Sequence, residues 1–463
     1  MSEARPNPLT EENKKPNVVY FLVDNLGMGE LSSYNGCSLR GATTARIDAF
    51  AKQGMTLFNF APETQCTPSR SALMTGRYSI RSGNQSVPFV GSEGGLVKWE
   101  RTLGDIFSDA GYATSIVGKW HIGDSEGRWP TDHGFDEWYG VPRSYDECLW
   151  PKDPWYDPKR DIVTRVLESR KDQPVNELEQ LTVEVKRDID VEYMKRAKDF
   201  LKRSTEQGKP FLLYFNYSLM HLPTTPRPEF EGKSGHGEWA DSLLQMDTDF
   251  GTLLDYLTSL GVDDNTVVVF SGDNGPEELA PWRGTAGYFD GSYFTGMEGS
   301  LRTPSLVRYP GHVPAGQKSN EIVHITDLFT TLVLWAGLEV PKDREIDGVD
   351  QRAFFEGKQT PSNREGFLYW MGSTLFGVKW RNFKMVLVLQ KTLSEPALHL
   401  TTPHLINLDV DPKEREPYSF PYLHTWTLAH TGKLISEFQR SLSREPLIPV
   451  GAPLDYMPAK KQP

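Results

Sequence analysis

The stretch Gln65-Cys66-Thr67-Pro68-Ser69-Arg70-Ser71-Ala72-Leu73-Met74-Thr75-Gly76-Arg77 sets a cysteine among residues that start a helix. Thr67 can serve as N-cap, Pro68 suits the first helical position, and Gly76 can end the short helix. Cys66 would then stand just before a helix N-terminus, where backbone N–H groups favour anions and lower a thiol's pKa. The residues alone leave two readings open, a nucleophilic thiolate and a buried structural cysteine. Elsewhere, four apolar runs each lead into a polar group. Residues 18–23 lead to Asp24-Asn25, and 113–117 to Gly118-Lys119-Trp120-His121. Residues 211–215 lead to His221, and 266–270 to Asp273-Asn274-Gly275. Each group has an ordinary explanation as turn chemistry. Together, at the carboxyl ends of parallel strands, they would gather Asp, Asn, Lys and His on one edge, where open α/β sheets bind ligands.

The surrounding pattern predicts the sheet this requires. Short β-branched and aromatic runs alternate with stretches of helical period: Ile189, Tyr193, Ala197, Phe200 and Leu201 mark one face. Leu243, Phe250, Leu253, Leu254 and Leu257 mark another, closed by Gly261. This alternation argues for an α/β fold, a mostly parallel sheet covered by helices on both sides. Near residue 365 the texture changes. Residues 366–371, 374–378 and 383–389 read as strands of an antiparallel meander, followed by an irregular Pro-rich end. The expected organisation is a polar N-terminal arm at 1–15, a catalytic domain at 16–364, and a small C-terminal α+β domain with its tail at 365–463. An aromatic, Pro-rich insertion at 143–188 is expected to pack peripherally rather than as a lid.

Composition excludes several functions. Hydrophobic residues at 38% and charged ones at 24% describe a chain that buries a core, not a disordered one. A formal charge of −12 opposes nucleic-acid binding, which rests on Lys and Arg. Cys37, Cys66 and Cys148 are too few and scattered for a disulfide framework or a zinc site. Apolar runs fall short of the roughly 18 residues that span a bilayer, so no membrane insertion is expected. The polar start lacks the apolar segment of an export signal. The chain as written is therefore expected in the cytoplasm, or in the periplasm or medium if a signal has been removed.

Cys66-Thr67-Pro68-Ser69-Arg70 with Leu73-Met74-Thr75-Gly76-Arg77 resembles the signature of type I sulfatases, of the alkaline phosphatase superfamily. The likeness extends, in the family's order, over Asp24, residues 118–123, His221, Asp273-Asn274-Gly275, Glu298-Gly299 and Asn407-Leu408-Asp409. It implies an alkaline-phosphatase-like fold and hydrolysis of an aryl, small alkyl or carbohydrate sulfate ester. It also implies that a sulfatase-modifying enzyme converts Cys66 to Cα-formylglycine. One divalent cation, Ca²⁺ before Mg²⁺, would be held by Asp24, Asn25, Asp273, Asn274 and the oxygen at position 66, all hard donors. In the implied mechanism Asp273 deprotonates the nucleophile, and Arg70 and Lys119 stabilise it and the sulfuryl oxygens. His221 protonates the leaving oxygen, and His121 acts as base when sulfate is released. Two departures stand out. Asn25 replaces the family's usual Asp. Tyr293 occupies the position of its sulfate-binding Lys, for which Arg283 and Arg302 are the candidate substitutes. Substrate specificity is expected from the insertion, the 281–293 loop and the C-terminal domain. The rival readings are a phosphonate monoester or phosphodiester hydrolase of the same superfamily, which Asp273-Asn274 in place of Asp-His disfavours, and a non-catalytic relative with Cys66 unmodified.

Overall fold

A run of apolar side chains from Val18 to Val23 leaves no solvent face, and the strand Asn17–Val23 is buried at all seven positions. It is the spine of the protein, which a computed structural model describes over residues 15–36, 40–88, 91, 94–416 and 423–459. Cys37 and most of the expected N-terminal arm lie outside the described residues. Phe211–Tyr217 and Thr266–Gly272 flank the spine as parallel neighbours, and Ala113–Val117 lies parallel beyond the former. Val23 faces Tyr217 on one side and Gly272 on the other, so the carboxyl ends finish level.

These four strands form the middle of an eleven-stranded sheet. Thr303–Arg308 runs antiparallel beside Thr266–Gly272, and Met55–Ala61 beyond it returns to the common direction. At the other end Glu137–Gly140 is parallel to Ala113–Val117, and Arg165–Arg170 and Asn176–Gln180 form an antiparallel edge. Strand alternation divides the spine between two cores. Val19, Phe21 and Val23 pack under Val183–Glu206 and Glu238–Ser259, where Phe21 stacks on Phe215 at 5.0 Å. Val18, Tyr20 and Leu22 pack under Cys66–Thr75, Leu103–Asp109 and Ile325–Trp335. The fold is thus the expected mostly parallel sheet between helices. No helix among the described residues is long and apolar enough to cross a membrane.

The C-terminal strands Gly366–Met371, Thr374–Trp380, Phe383–Leu389 and Leu398–Asn407 form a four-stranded antiparallel sheet. The tail differs from its reading as irregular: Thr427–Arg444 is a helix. The prolines of this region flank it, and it packs on the sheet through Leu434, Ile435 and Phe438, with Thr431 against Met385 and His430 stacked on Trp380 at 4.1 Å. The insertion divides. Tyr145–Lys152 turns inward beside the strand ends, whereas Arg165–Arg170 and Asn176–Gln180 extend the sheet edge.

A buried ionic cluster fastens the two sheets. Glu298 accepts from Arg302 and from Lys379 Nζ at 2.6 Å, while Lys384 Nζ reaches Glu414 at 2.6 Å. Removing one member leaves a buried opposite charge uncompensated, which costs about 3–5 kcal/mol. Glu298→Ala should therefore lower the unfolding free energy by that amount, seen as a lower denaturant midpoint at unchanged slope. A midpoint unchanged from the parent would show that the cluster does not hold the sheets together.

Candidate active site

Level strand ends decide which side chains meet. Asp24 follows Val23, Asp273 follows Gly272, and the Asp273 amide continues the ladder by donating to Val23 O at 3.0 Å. Asn25 turns the chain in the left-handed region, φ 56°, and its backbone N–H donates to Asp273 Oδ1 at 3.2 Å. The helix Cys66–Thr75 points its first turn at this edge. Its start differs from expectation. Gln65 is the N-cap residue, Cys66 is already helical, and the Thr67 hydroxyl donates instead to His121 O at 2.8 Å. Pro68 is the third helical residue, which is tolerated because the first four N–H groups have no partner inside the helix. Gly76 ends it as expected, with φ 69° and its N–H on Ala72 O. A Cβ there would stand 2.3 Å from Phe329.

Arg70, fully buried, ties the edge together. Its Nη2 donates to Asp24 Oδ2 and Asp273 Oδ2, both at 3.0 Å, and its Nη1 to Lys119 O at 2.8 Å and Asn216 Oδ1 at 3.0 Å. Lys119 Nζ donates to Asp24 Oδ2 at 2.8 Å. Although burial works against its charge, Lys119, His221 and Arg70 hold the Asp24 carboxyl far below the usual range. Burial and the neighbouring Asp24 push Asp273 up to about 7. The Cys66 thiol donates to Asp24 Oδ1 at 3.3 Å and lies 4.0 Å from Asn25 Oδ1. Burial, then Asp24, raise its pKa well above a free thiol's. The thiolate reading is therefore reversed: desolvation and an adjacent carboxylate outweigh the helix dipole.

Both histidines face the same cleft, of about 560 Å³, with Cys66 on its floor. His121 has φ 63°, and its Nδ1 is buried with no hydrogen-bond partner among the described residues. His221 Nδ1 lies 2.9 Å from Leu222 O, so that nitrogen carries the hydrogen and Nε2 is left toward Ser144 Oγ at 3.1 Å and Asp146 Oδ1 at 3.8 Å. Burial and the Lys119 charge depress the imidazolium of each. Neither cation suggested for the missing Lys lines the cleft: Arg302 is held in the Glu298 cluster and Arg283 is exposed. Arg143, held by Glu147 at 2.7 Å, does line it.

Sequence reading missed Asn216, Ser144, Asp146 and Glu277. Asn216 had a signal, a lone amide in a buried apolar strand, which demands a partner. Ser144 and Glu277 sit in loops and Asp146 in the helical turn Tyr145–Lys152, none with a local mark. The cation fits the donors present. Asp24, Asn25, Asp273 and Asn274 offer only hard oxygens, and Asn274 Oδ1 is buried without a partner among the described residues. Donor atoms of Asp24, Cys66 and His221 also lie within 4.8 Å of one another.

The family model described as Sulfatase matches residues 16–338, which include every one of these groups. The chain belongs to the sulfatase family. It is a hydrolase of sulfate esters, and members of this family generally use a formylglycine and a divalent cation. A second family model, N-sulphoglucosamine sulphohydrolase, C-terminal, matches residues 284–417. The sulfatase chain is similar to N-acetylgalactosamine-6-sulfatase of Sus scrofa, at 33% identity over 89% of this chain and 83% of that protein. It is also similar to arylsulfatase A of Bos taurus, at 32% identity over 86% and 82%. Among solved structures, the PsFucS1 sulfatase of Pseudoalteromonas sp. superposes with a TM-score of 0.88 at 27% identity, covering 94% of this chain and 92% of that one.

Proposed function

We propose that this sulfatase removes sulfate from a carbohydrate. Cys66, converted by a modifying enzyme to formylglycine, is the catalytic residue, and Ca²⁺, or Mg²⁺ in its place, is held by Asp24, Asn25, Asp273 and Asn274. The catalytic part is assigned to residues 16–364, with 365–463 as the C-terminal part. The observation that carries the reading is the buried Arg70–Asp24–Lys119–Asp273 network around the Cys66 side chain. Relatives named for a sulfated amino sugar support a carbohydrate, as does a cleft wall of Trp150, Tyr293 and Phe294 beside Asp124 and Asp146. Aromatic faces suit the apolar side of a sugar ring and carboxylates its hydroxyls.

When present, the cation draws charge from the sulfuryl group and formylglycine supplies an oxygen nucleophile in place of the thiol. Arg70 fixes the separation of Asp24 and Asp273, and Asp273 takes the nucleophile's proton. Lys119 spends one N–H on Asp24 and keeps two for sulfuryl oxygens. The His221 Nδ1–H on Leu222 O fixes the ring with Nε2 toward the cleft. Nε2 takes a proton from solvent when the anionic ester binds beside it, and the imidazolium so formed gives that proton to the leaving oxygen. His121 Nδ1, with no partner to compete for it, accepts the proton lost when sulfate is released.

A panel of sulfated sugars, nitrophenyl sulfate and phosphate diesters tests the substrate class. Turnover is expected to be highest on a sulfated sugar, and preference for a phosphate diester would overturn the reading. The same panel tests His221. In His221→Ala, sugar sulfates, whose alkoxide leaves poorly, should slow by about 10²–10⁴-fold. Nitrophenyl sulfate, whose anion is stable, should slow far less. Equal losses on both would remove His221 from the role of acid.

A further inference from the structure

Glu277 follows the Asp273-Asn274-Gly275 turn and is 1% exposed. Its two carboxylate oxygens are used differently. Oε1 accepts three hydrogen bonds at 2.9 Å, from the backbone N–H groups of Glu278 and Leu279 and from the Tyr293 hydroxyl. Oε2 accepts from Asn25 Nδ2 at 3.2 Å. The other end of the Asn25 amide, Oδ1, accepts from Asn274 Nδ2 at 2.6 Å and lies 4.0 Å from Cys66 Sγ. The amide of Asn25 is therefore gripped at its nitrogen by a carboxylate that has no other orientation available, because three donors pin the opposite oxygen.

We propose that Glu277 is a positioning residue for the cation: it orients the Asn25 amide so that oxygen, not nitrogen, is presented to the cation site, and it adds a buried negative charge behind that ligand. An amide can present either end, and only its oxygen binds a hard cation. Tyr293 belongs to the same device, since its hydroxyl helps hold Glu277 in place. The inference rests on the cation site of the preceding subsection.

The hydrogen-bond directions yield a test that separates positioning from mere packing. In Glu277→Gln the three donors around Oε1 select the amide oxygen, and the new NH₂ then faces the NH₂ of Asn25. Two donors oppose each other, and the Asn25 amide loses its restraint. In Asn25→Asp/Glu277→Gln that NH₂ meets a carboxylate oxygen, the hydrogen bond re-forms with its direction reversed, and the total charge equals the parent's. Ca²⁺ affinity is measured by calorimetry on chelator-stripped full-length protein, with circular dichroism reporting the fold. Glu277→Gln should bind Ca²⁺ about 10–100-fold more weakly, the usual range for residues that orient a ligand from behind. The double variant should recover to within a few-fold of the parent. Parental affinity in Glu277→Gln, or a double variant as weak as the single, overturns the inference. Asp273→Ala is the control for the site itself. If the parent binds Ca²⁺ no better than Asp273→Ala, the cation assignment fails, and that result is distinct from failure of the role of Glu277.

Discussion

Replacement of Cys66 by Ala is expected to lower turnover of sulfate esters by about 10⁴-fold or more, the scale on which removal of a nucleophile acts, while the fold stays intact. The side chain is small, lies on the cleft floor, and contributes no packing that Ala would not largely preserve. Its surroundings disfavour an unmodified thiol as the nucleophile. Burial and Asp24 both oppose the thiolate, and Asp24 Oδ1 stands 3.3 Å from the sulfur. A hydroxyl or hydrated aldehyde in the same place keeps its proton acceptors without requiring a free buried anion. Intact-mass analysis of the active protein should show the Cys66 peptide about 18 Da lighter as the aldehyde, or near its unmodified mass as the hydrate. The Cys66→Ser variant should release one equivalent of alcohol and stop, about 80 Da heavier, since a sulfated serine has no second hydroxyl with which to expel sulfate. An active preparation whose Cys66 alkylates as an ordinary thiol would refute this assignment.

The second large effect concerns the acidic pair that Arg70 spans. Asp273→Ala, or chelation of the parent, should reduce activity by about 10³-fold or more, because Lewis-acid charge withdrawal is worth several kcal/mol and each 1.4 kcal/mol is tenfold. Asp24 and Asp273 share one guanidinium nitrogen at 3.0 Å each, so loss of either unbalances Arg70 as well as the cation site. Added Ca²⁺ should restore the chelated parent and leave Asp273→Ala inactive. Full activity in protein shown by elemental analysis to be free of metal would rule out the site.

Local signals in the sequence reach as far as single elements. The four central strands were legible because a strand buried on both faces must be a continuous apolar run, and each run stops at a polar residue. The helix after Cys66 was legible through Gly76, but its start was not. Whether Thr67 caps the helix depends on His121 O, 54 positions away, which takes the hydroxyl instead. The tail helix was obscured by the prolines that flank it, although Leu434, Ile435 and Phe438 stand at helical spacing.

By itself the sequence determined the chemistry available: a cysteine within the sulfatase signature, two histidines, a lysine and oxygen donors at strand ends, enough to specify a sulfatase. Tertiary structure alone decided how these groups act on one another. The Cys66 thiol is raised rather than lowered because burial and a carboxylate from a different strand end outweigh its own helix. Arg302, a candidate sulfate-binding cation on sequence, is instead sealed with Lys379 into the cluster under Glu298. Glu277 grips Asn25 across 252 positions of chain. Propensity and period act over a few residues, whereas desolvation, ion pairing and the direction of a hydrogen bond depend on neighbours that only the folded sheet brings within 4 Å.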